Sequence, residues 1–376
     1  MDFLGLEELE FMKKILFFIN TLHGGGAEKV LVDLVNNMDP EKYRITVQTL
    51  IDAGAHKKLL KDHIHYKAIL KNAKLSKWVI KLMPAKLVYN LFVKDKYDYE
   101  VAFLEGYPTR VIAKSTNKNA KRIAWLHTDL LRFPDSENAF TRYFTEKAAY
   151  QKFDRIVCVS NSVKESLIKK YDIAGSKIST VYNVVDDEQI RVKANQTENM
   201  IERPDGPLIV SVGRLIAQKG YDRLLRIHKS LMDDGLQHTL WIVGEGEKRP
   251  ELEAYIQENN LQNVLLLGFQ NNPYVYMAKA DLFVSSSVAE GFSTVITESV
   301  VLGVPVLSTN TAGACEPVEA PRCGIVVNTE SELCCAIKKV LSDPSEFEKL
   351  KVKLADSRAF FKKQRLVKQA EKVFSD

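Results

Sequence analysis

The sequence has 376 residues, of which 45% are hydrophobic and 27% charged, with a formal net charge of +5. This length predicts two domains with separate cores, and the composition excludes collagen, coiled coils and wholesale disorder. No run reaches the roughly 18 consecutive apolar residues of a membrane-spanning helix. Three glutamates stand among the first ten residues, where a signal peptide would be basic. We therefore expect a cytoplasmic protein, with residues 1–11 as an extension that precedes the fold.

Short apolar runs rich in β-branched residues recur along the first half, each followed by a polar turn and a stretch of helical periodicity. This alternation is typical of βαβ units around a parallel sheet. The predicted strands are residues 14–20, 43–50, 99–104, 122–127, 155–160 and 178–183. They define a first doubly wound α/β domain at residues 12–190. The alternation of apolar runs and helical stretches then stops before the sequence PDGP, which predicts a linker at residues 191–207.

The same alternation of apolar runs and helical stretches resumes after the linker. The predicted strands are residues 208–213, 239–244, 264–269, 282–287, 305–309 and 324–328. They define a second doubly wound α/β domain at residues 208–357, and an amphipathic helix at residues 358–376 is expected to cross back to the first domain. Parallel sheets bind ligands at the carboxyl ends of their strands, so two such domains predict a binding cleft between them.

The turn after the first strand has the sequence HGGGAEKVL. Its glycines, Gly24 to Gly26, let the backbone approach a ligand, and the following helix N-terminus presents N–H groups to an anion or a sugar hydroxyl. It is not a dinucleotide fingerprint, because Lys29 stands where the third glycine would be. A tight turn without a ligand is the alternative interpretation of this loop.

Charged residues follow two predicted strands of the second domain. Arg214 and Lys219 come after its first strand, at an edge where two cations suit a diphosphate. Glu290 and Glu298 come after its fourth strand, in SSSVAEGFSTVITES, where carboxylates can accept hydrogen bonds from sugar or ribose hydroxyls and a helix N-terminus faces phosphate. The alternatives are solvated loop cations for the basic pair and a helix-face charge for Glu298.

Together with others, these motifs occur in an order that resembles the retaining nucleotide-sugar glycosyltransferases of the GT-B fold, family 4. The resemblance extends from about Met12 over nearly the whole chain. The motifs that carry it are GGGAEKVL, AWLHTDL, VSNSVKESL, GRLIAQKG, VGEGEKRPEL, NPYVYMAKADLFVSSS, EGFSTVITES and TAGACEPV. It implies two Rossmann-like domains facing across a cleft, with the acceptor bound by the first domain and the donor by the second.

Four catalytic residues are implied by the resemblance. Arg214 and Lys219 would hold the donor diphosphate and stabilise it as it leaves, and Glu290 would lie beside the transferred sugar. His127, at the end of a strand of the first domain, would reach the donor sugar. Without the resemblance, a satisfied strand-end residue is the simpler interpretation of His127.

The resemblance also implies a larger donor-binding set. Glu298 would bind the ribose hydroxyls, and the turn after Glu290 would supply backbone amides to phosphate and sugar. The complete expected set is Gly25, Gly26, Gly213, Arg214, Lys219, Gly268, Phe269, Pro273, Glu290, Gly291, Phe292, Ser293, Thr294 and Glu298.

The expected mechanism follows from where charge develops. The departing diphosphate gains negative charge, which preorganised cations would stabilise. No DxD motif stands at a predicted strand end, so a bridging divalent metal is not expected. No other cofactor is expected, and the nucleotide-diphosphate sugar is a co-substrate. Retention of configuration, which the resemblance implies, requires either a carboxylate nucleophile or attack from the face of departure. Glu290 is the candidate nucleophile, but we favour front-face attack with Glu290 binding the sugar.

A basic segment lies in the first domain. Between His56 and Lys96, eleven lysines are accompanied by only two aspartates and are interleaved with apolar residues. This composition suits peripheral docking on an anionic membrane, where each lysine adds about 1 kcal/mol. We favour docking because the resemblance implies that this part of the first domain approaches a lipid-linked acceptor. The expected contacts are Lys74, Lys77, Trp78, Lys81 and Lys86. The alternative is an ordinary helical face with solvated lysines. Nucleic-acid binding is not expected, since clustered arginines and a stacking platform are lacking.

The sequence therefore predicts transfer of a hexose or N-acetylhexosamine from a nucleotide-diphosphate sugar, with uridine diphosphate as the default, to a saccharide or lipid-linked saccharide. Polysaccharide synthesis, as in capsule or exopolysaccharide, or glycolipid synthesis would be its setting, on the inner face of the cell membrane. A catalytically silent nucleotide-sugar-binding partner and a sugar epimerase are the alternatives. The presence of every expected catalytic residue favours the transferase.

Overall fold

The computed structural model describes residues 12–23, 25–71, 83–131, 146–196 and 201–375. The chain forms two compact units, of which the first comprises Met1–Val184 and Leu366–Asp376 and the second Val185–Arg365. Each unit has its own parallel sheet and its own buried residues. The predicted fold class, two doubly wound α/β domains, is confirmed.

Within the described residues, the first unit is built on a parallel sheet of seven strands. They are β1 (Lys13–Ile19), β2 (Tyr43–Ile51), β3 (His65–Leu70), β4 (Tyr99–Phe103), β5 (Lys121–Leu126), β6 (Arg155–Cys158) and β7 (Ile178–Thr180). Their order is β3-β2-β1-β4-β5-β6-β7. β1 and β4 bury nearly all of their side chains, as strands covered on both faces do. The order changes direction between β1 and β4, which is where open parallel sheets bind ligands.

Helices of the first unit follow its strands. They include α1 (Gly26–Asn37), α2 (Ala85–Phe92), α3 (Tyr107–Ile112) and α4 (Asn161–Tyr171). α1 buries Val30, Leu31 and Leu34, whose spacing places them on one face. α4 begins after Ser160, whose Oγ accepts a hydrogen bond from the Val163 N–H at 3.1 Å and caps the helix.

The sheet of the second unit has six strands within the described residues. They are β8 (Leu208–Val212), β9 (Thr239–Val243), β10 (Val264–Leu266), β11 (Leu282–Ser285), β12 (Val306–Thr309) and β13 (Gly324–Val327). Their order, β10-β9-β8-β11-β12-β13, changes direction between β8 and β11. Such a change of direction in the strand order is called a switch point. It is therefore the expected ligand-binding edge of the second unit.

Helices of the second unit alternate with its strands. They include α5 (Asp187–Ala194), α6 (Tyr221–Asp233), α7 (Arg249–Glu258), α8 (Tyr274–Met277), α9 (Thr294–Leu302), α10 (Ala312–Glu319), α11 (Glu330–Ser342) and α12 (Pro344–Ser357). The apolar faces of α6 and α11 pack on the sheet, in a core that includes Ile209, Leu240 and Ile337. No helix of the described residues is long and apolar enough to cross a bilayer.

Every predicted strand has an observed counterpart, but β3 was not predicted. It lies at the edge of the first sheet, and His65, Lys67 and Ala68 are exposed. A strand that buries so little lacks the apolar run by which the others were recognised. Its lysine was instead assigned to the basic segment.

The predicted boundary between the domains is corrected by α5. Residues 185–190, which were assigned to the first domain, belong to the second unit, and the predicted linker overlaps the end of this helix. The Asp186 carboxylate accepts a hydrogen bond from the Gln189 N–H at 3.0 Å and starts the helix, while Ile190 is buried. The sequence does contain a signal for this helix, since an aspartate that can cap it is followed by an apolar isoleucine. The polar composition of the segment led instead to the prediction of a linker.

The C-terminal end of the chain packs into the first unit, as expected. After α13 (Lys363–Glu371), the ring of Phe374 is fully buried and packs edge-to-face against Tyr99, with ring centroids 5.4 Å apart. The Phe374 carbonyl accepts hydrogen bonds from Lys13 Nζ at 2.9 Å and from Tyr99 Oη at 2.8 Å. Only the part from Leu366 onward belongs to the first unit.

Residues 358–365, expected to be part of the crossing helix, remain in the second unit. They begin with a 3₁₀ turn, Arg358–Phe361, rather than with the helix. Phe361 is fully buried, and the Lys363 N–H donates to Asp187 of α5 at 3.1 Å. These contacts hold the first half of the predicted crossing segment in the second unit.

Two buried histidines form a hydrogen-bonded pair in the second unit. His238 Nδ1 donates to the Leu236 carbonyl at 2.8 Å, so His238 Nε2 is the acceptor for His228 Nδ1 at 2.9 Å. His228 Nε2 is then the unprotonated nitrogen, buried without a partner among the described residues. Since a proton there would have no acceptor, burial lowers the pKa of His228 to about 3.

This pair predicts a loss of stability in mild acid. The unfolded chain binds a proton at each histidine near pH 6.5, whereas folded His228 does not until about pH 3. Stability is therefore fully present above pH 6.5 and falls by about 1.4 kcal/mol per pH unit below it for this histidine. In His228→Asn, whose amide still donates to His238, we expect a shallower slope in urea unfolding between pH 7 and 4.5. Equal slopes for the two proteins would contradict the assignment.

Candidate active site

The switch point of the second sheet brings two loops together. β8 and β11 are paired, so the loop after β8 (residues 213–220) and the loop after β11 (residues 286–293) begin side by side. The Val288 N–H donates to the Gln218 carbonyl at 2.8 Å, and Gln218 Nε2 donates to the Ala289 carbonyl at 2.8 Å. The relative position of the two loops is thus fixed by direct hydrogen bonds.

Gly220 allows this close approach. It caps α6 with φ 63°, in the left-handed region, and a Cβ added there would lie 2.3 Å from the Ser286 carbonyl oxygen. The Ser286 hydroxyl also donates to the Lys219 carbonyl at 3.1 Å. A side chain at position 220 would therefore push the two loops apart.

Lys219 and Glu290 form a largely buried ion pair across these loops. Their side chains are 19% and 9% exposed, and Lys219 Nζ bonds to Glu290 Oε1. The same oxygen accepts a hydrogen bond from Ser287 Oγ at 2.7 Å. Gly213 adjoins the pair, since a Cβ there would lie 3.4 Å from Lys219 Cε. The structure therefore brings three of the sequence-predicted residues together.

Arg214 differs from Lys219 in its surroundings. It is exposed and makes no ion pair or side-chain hydrogen bond with any part of the chain that the structure describes. Leu215, the next residue, is fully buried and anchors the loop, with its N–H donating to the Glu245 carbonyl at 2.9 Å. The anchored loop therefore places an exposed guanidinium at the switch point of the second sheet, where it is available to an anion.

Glu298 is held by a tyrosine that the sequence did not predict. It lies in α9, 8% exposed, and its Oε1 accepts a hydrogen bond from Tyr274 Oη at 3.0 Å. Tyr274 begins α8, directly after Pro273. The motif NPYVYMAKADLFVSSS contains this tyrosine, but only the fold shows that it bonds to a residue 24 positions later.

The EGFS turn is packed more tightly than the sequence indicated. Gly291, Phe292 and Ser293 are buried, and the Ser293 N–H, expected to bind donor, instead donates to the Gly313 carbonyl at 3.2 Å. A Cβ at Gly313 would lie 2.2 Å from Gly291, so α10 presses directly on the turn. Ser293 Oγ, by contrast, is buried without a partner among the described residues, at the start of α9. Thr294 is the first residue of that helix.

Gly268 and Phe269 follow β10. Gly268 has φ 69°, and its carbonyl accepts a hydrogen bond from the Gly244 N–H at 2.8 Å, which ties the end of β10 to the end of β9. Phe269 is 70% exposed. An aromatic ring so exposed beside a strand end is available to a planar ligand.

In the first unit, Gly25 caps α1 and Gly26 is its first residue. Gly24 lies outside the described residues. A Cβ at Gly25 would approach the Glu28 carboxylate to 2.2 Å, so this position has little room. Lys29, the residue that excluded a dinucleotide fingerprint, forms an ion pair with Asp33 within the helix.

His127 follows β5 and is neutral. Its Nε2 is buried without a hydrogen-bond partner among the described residues, and its ring lies 4.5 Å from that of Phe103, measured between centroids. Desolvation lowers the pKa of His127 to about 3. The imidazole can therefore exchange hydrogen bonds with a hydroxyl at neutral pH but carries no charge there.

The expected membrane contacts Lys74, Lys77, Trp78 and Lys81 lie outside the described residues. Lys86 is described and is exposed on α2. Leu87 and Leu91, one helical turn apart, are each 44% exposed on the same helix. An exposed lysine thus adjoins exposed leucines, in a helix that buries Val88 and Tyr89 on its other side.

Two doubly wound units, with charged side chains gathered at a switch point, are the architecture of GT-B glycosyltransferases. The family model "Glycosyltransferase Family 4" matches residues 24–189, and "Glycosyl transferases group 1" matches residues 193–356. A crystal structure of HepE from Anabaena, in complex with UDP, superposes with a TM-score of 0.75 at 20% identity over 96% of this chain and 99% of that one. This likeness shows the shared fold.

Two named relatives show which family the chain belongs to. The N-acetylgalactosamine-N,N'-diacetylbacillosaminyl-diphospho-undecaprenol 4-alpha-N-acetylgalactosaminyltransferase of Campylobacter jejuni is 31% identical over 96% of this chain and 99% of its own length. The capsular polysaccharide biosynthesis glycosyltransferase CapM of Staphylococcus aureus is 26% identical over 55% of this chain and 57% of its own. The chain belongs to glycosyltransferase family 4 and is a glycosyltransferase.

Gly220→Ala is predicted to destabilise the second unit more than a matched control. An alanine at positive φ costs about 1 kcal/mol, and at Gly220 the added Cβ would also meet the Ser286 carbonyl. Gly235→Ala is the control, because Gly235 has φ 85° with nothing within 4 Å of its Cβ position. In urea unfolding we expect a lower midpoint for Gly220→Ala than for Gly235→Ala. Equal midpoints would show that the loops do not need this approach.

Proposed function

We propose that this protein transfers a hexose or N-acetylhexosamine from a nucleoside-diphosphate sugar, with UDP as the nucleotide, to a saccharide or lipid-linked saccharide. The observation that carries the proposal is the buried Lys219–Glu290 pair beside exposed Arg214 at the switch point of the second sheet. The two cations at this edge offer charged hydrogen-bond donors to a diphosphate. The HepE structures are complexes with UDP and with UDP-glucose, which supports the choice of nucleotide.

Arg214 and Lys219 would stabilise the leaving diphosphate. Arg214 offers a planar guanidinium with several donors, and Lys219 keeps further N–H donors besides the one directed at Glu290. The low exposure of Lys219 strengthens its attraction for an anion, because less water screens the charge. The partnerless hydroxyl of Ser293, with the first-turn amides of α9, adds donors of the type that phosphate accepts.

Glu290 is better suited to orienting the sugar than to attacking it. One of its oxygens accepts hydrogen bonds from both Lys219 and Ser287, which lowers its nucleophilicity. This arrangement favours front-face attack by the acceptor, with retention of configuration and with a donor phosphate oxygen taking the acceptor proton.

The nucleotide would be held by groups farther along the same edge. Glu298, fixed by Tyr274, would present a carboxylate to the ribose hydroxyls, and the backbone near Gly268, Phe269 and Pro273 would contact the nucleotide. Neutral His127 of the first unit would exchange a hydrogen bond with a sugar hydroxyl.

We propose that catalysis needs no bound metal. The described residues contain no group of three His, Cys, Asp or Glu side chains that could hold one. The two cations would supply the positive charge that a bridging metal supplies elsewhere. A catalytically silent nucleotide-sugar-binding partner is disfavoured, because such a protein has no need of an intact Lys219–Glu290 pair.

The acceptor is proposed by likeness to the Campylobacter relative, whose name specifies a saccharide on diphospho-undecaprenol. A lipid-linked acceptor requires the enzyme to meet a membrane surface. The exposed Leu87 and Leu91 beside Lys86 support peripheral docking of α2 on an anionic bilayer, because leucine side chains enter the interface while lysines pair with headgroups.

Arg214→Ala and Glu298→Ala test donor binding. Each removes a charged hydrogen-bonding group worth about 1.5–3 kcal/mol, so we expect the Kd for UDP in titration calorimetry to rise roughly 10- to 100-fold. Lys353→Ala is the matched control, since it removes an exposed cation on α12. UDP binding that is unchanged in both site variants would overturn the donor assignment.

The unaltered protein is assayed for sugar transfer with UDP-sugars, and the anomeric configuration of the product is determined by NMR. Activity is expected to persist after dialysis against EDTA, and the product to keep the donor's anomeric configuration. Activity that disappears with EDTA and returns with Mg²⁺ would refute metal independence, and an inverted product would refute retention.

Liposome flotation tests the docking of α2. The double variant Leu87→Ser/Leu91→Ser should float less with vesicles containing anionic lipid than the unaltered protein, because two apolar side chains leave the interface. Val192→Ser/Val352→Ser is the control, since both valines are exposed apolar residues of the second unit. Equal flotation of both double variants, or none by any protein, would remove α2 from the docking surface.

A further inference from the structure

An unusual backbone turn follows β4 in the first unit. Leu104 has φ 137°, a region that non-glycine residues rarely adopt, and Gly106 follows with φ 82°. Such strain costs on the order of 1–3 kcal/mol and persists only where the surrounding contacts enforce it. β4 pairs with β5 in the register Phe103 to Trp125, so this turn lies beside the end of β5. The residue in its middle is Glu105.

The Glu105 carboxylate binds the backbone at the end of β5. Its Oε1 accepts hydrogen bonds from the His127 N–H at 2.5 Å and from the Thr128 N–H at 2.7 Å. Its Oε2 accepts from Thr128 Oγ1 at 3.3 Å. Desolvation raises the pKa of Glu105 and these backbone bonds oppose that rise. Three donors from two successive residues therefore converge on one carboxylate.

This arrangement fixes His127 through its main chain. When two consecutive N–H groups point to one oxygen, the backbone between them has little freedom, and the direction of the His127 Cα–Cβ bond is set. The ring then packs on Phe103, while Nε2 is buried without a partner among the described residues. Histidines are often oriented by a carboxylate bonded to the ring, which also raises their basicity. Here the carboxylate orients the residue through its main chain and makes no bond to the ring, whose Nε2 stays without a partner among the described residues.

We propose that Glu105 is a positioning residue for sugar transfer, acting through His127. This inference rests on the proposed role of His127 and extends it to a residue that is 22 positions away in the sequence. The strained conformation of Leu104 is then explained, because it directs the Glu105 side chain to the end of β5.

Four variants test the proposal: Glu105→Ala, Glu105→Gln, His127→Ala and the double alanine variant. We expect Glu105→Ala to lower kcat roughly 10- to 100-fold with little change in the KM for the donor, since misplaced catalytic groups cost about that much. Glu105→Gln should remain within a few-fold of the unaltered enzyme, because the amide oxygen can still accept both N–H groups. In the His127→Ala background, Glu105→Ala should cause no further loss of kcat.

Glu100→Gln is the matched control for a general effect of altering a buried carboxyl on β4. Glu100 is fully buried, and its Oε1 accepts a hydrogen bond from Tyr89 Oη at 2.8 Å. We expect it to leave kcat unchanged, whether the melting temperature rises or falls. If Glu105→Ala does not fold, Glu105→Asp takes its place, since the shorter side chain reaches the two amides less well and should lower kcat.

The outcomes separate this inference from the proposed function. If His127→Ala lowers kcat but neither Glu105→Ala nor Glu105→Asp does, Glu105 has no positioning role and the proposed function stands. If the losses of kcat from Glu105→Ala and His127→Ala multiply in the double variant, Glu105 does not act through His127. If His127→Ala has normal kcat, the role of His127 is wrong and the inference falls with it, while UDP binding still tests the donor site.

Discussion

The pairing of β8 with β11 is the constraint on which the site of the second unit depends. Only Leu282 with Ile209 and Phe283 with Val210 are in register between these strands, yet their pairing sets two loops beside each other. Because neighbouring parallel strands end at one edge, residues about 70 positions apart, Lys219 and Glu290, can form one ion pair. Hydrogen bonds from Gln218 and Ser286 then lock the loops, so the position of the charges depends on main-chain geometry.

Electrostatics gives the two cations of this edge different properties. Lys219 is shielded and already compensated by Glu290, so its presence does not leave an unpaired buried charge. Arg214 is exposed, which spares it the cost of burial. A diphosphate arriving at this edge would therefore meet one preorganised charge and one that adapts. A pair of fully buried, uncompensated cations would repel each other and destabilise the fold before any ligand bound.

The fold was largely predictable because burial leaves a pattern in sequence. Strands covered on both faces read as apolar runs, and these were all found, whereas the exposed edge strand β3 and the polar helix α5 were missed for lack of such a pattern. The order of the family motifs in the sequence identified Glu298 and His127 as expected site residues. Their partners, Tyr274 and Glu105, could not be predicted, because these hydrogen bonds join residues 24 and 22 positions apart that only the folded sheet brings together.

The two units orient their key side chains by different physical means, and the difference follows from charge. Lys219 and Glu290 hold each other through their charged side-chain atoms, so each limits what the other can do chemically. His127 is held by main-chain bonds to Glu105, and its neutral ring keeps its hydrogen-bonding capacity. A pKa near 3 means that the ring does not titrate between pH 5 and 8. In the proposed function, such a ring would donate or accept a hydrogen bond in the same way over this whole pH range.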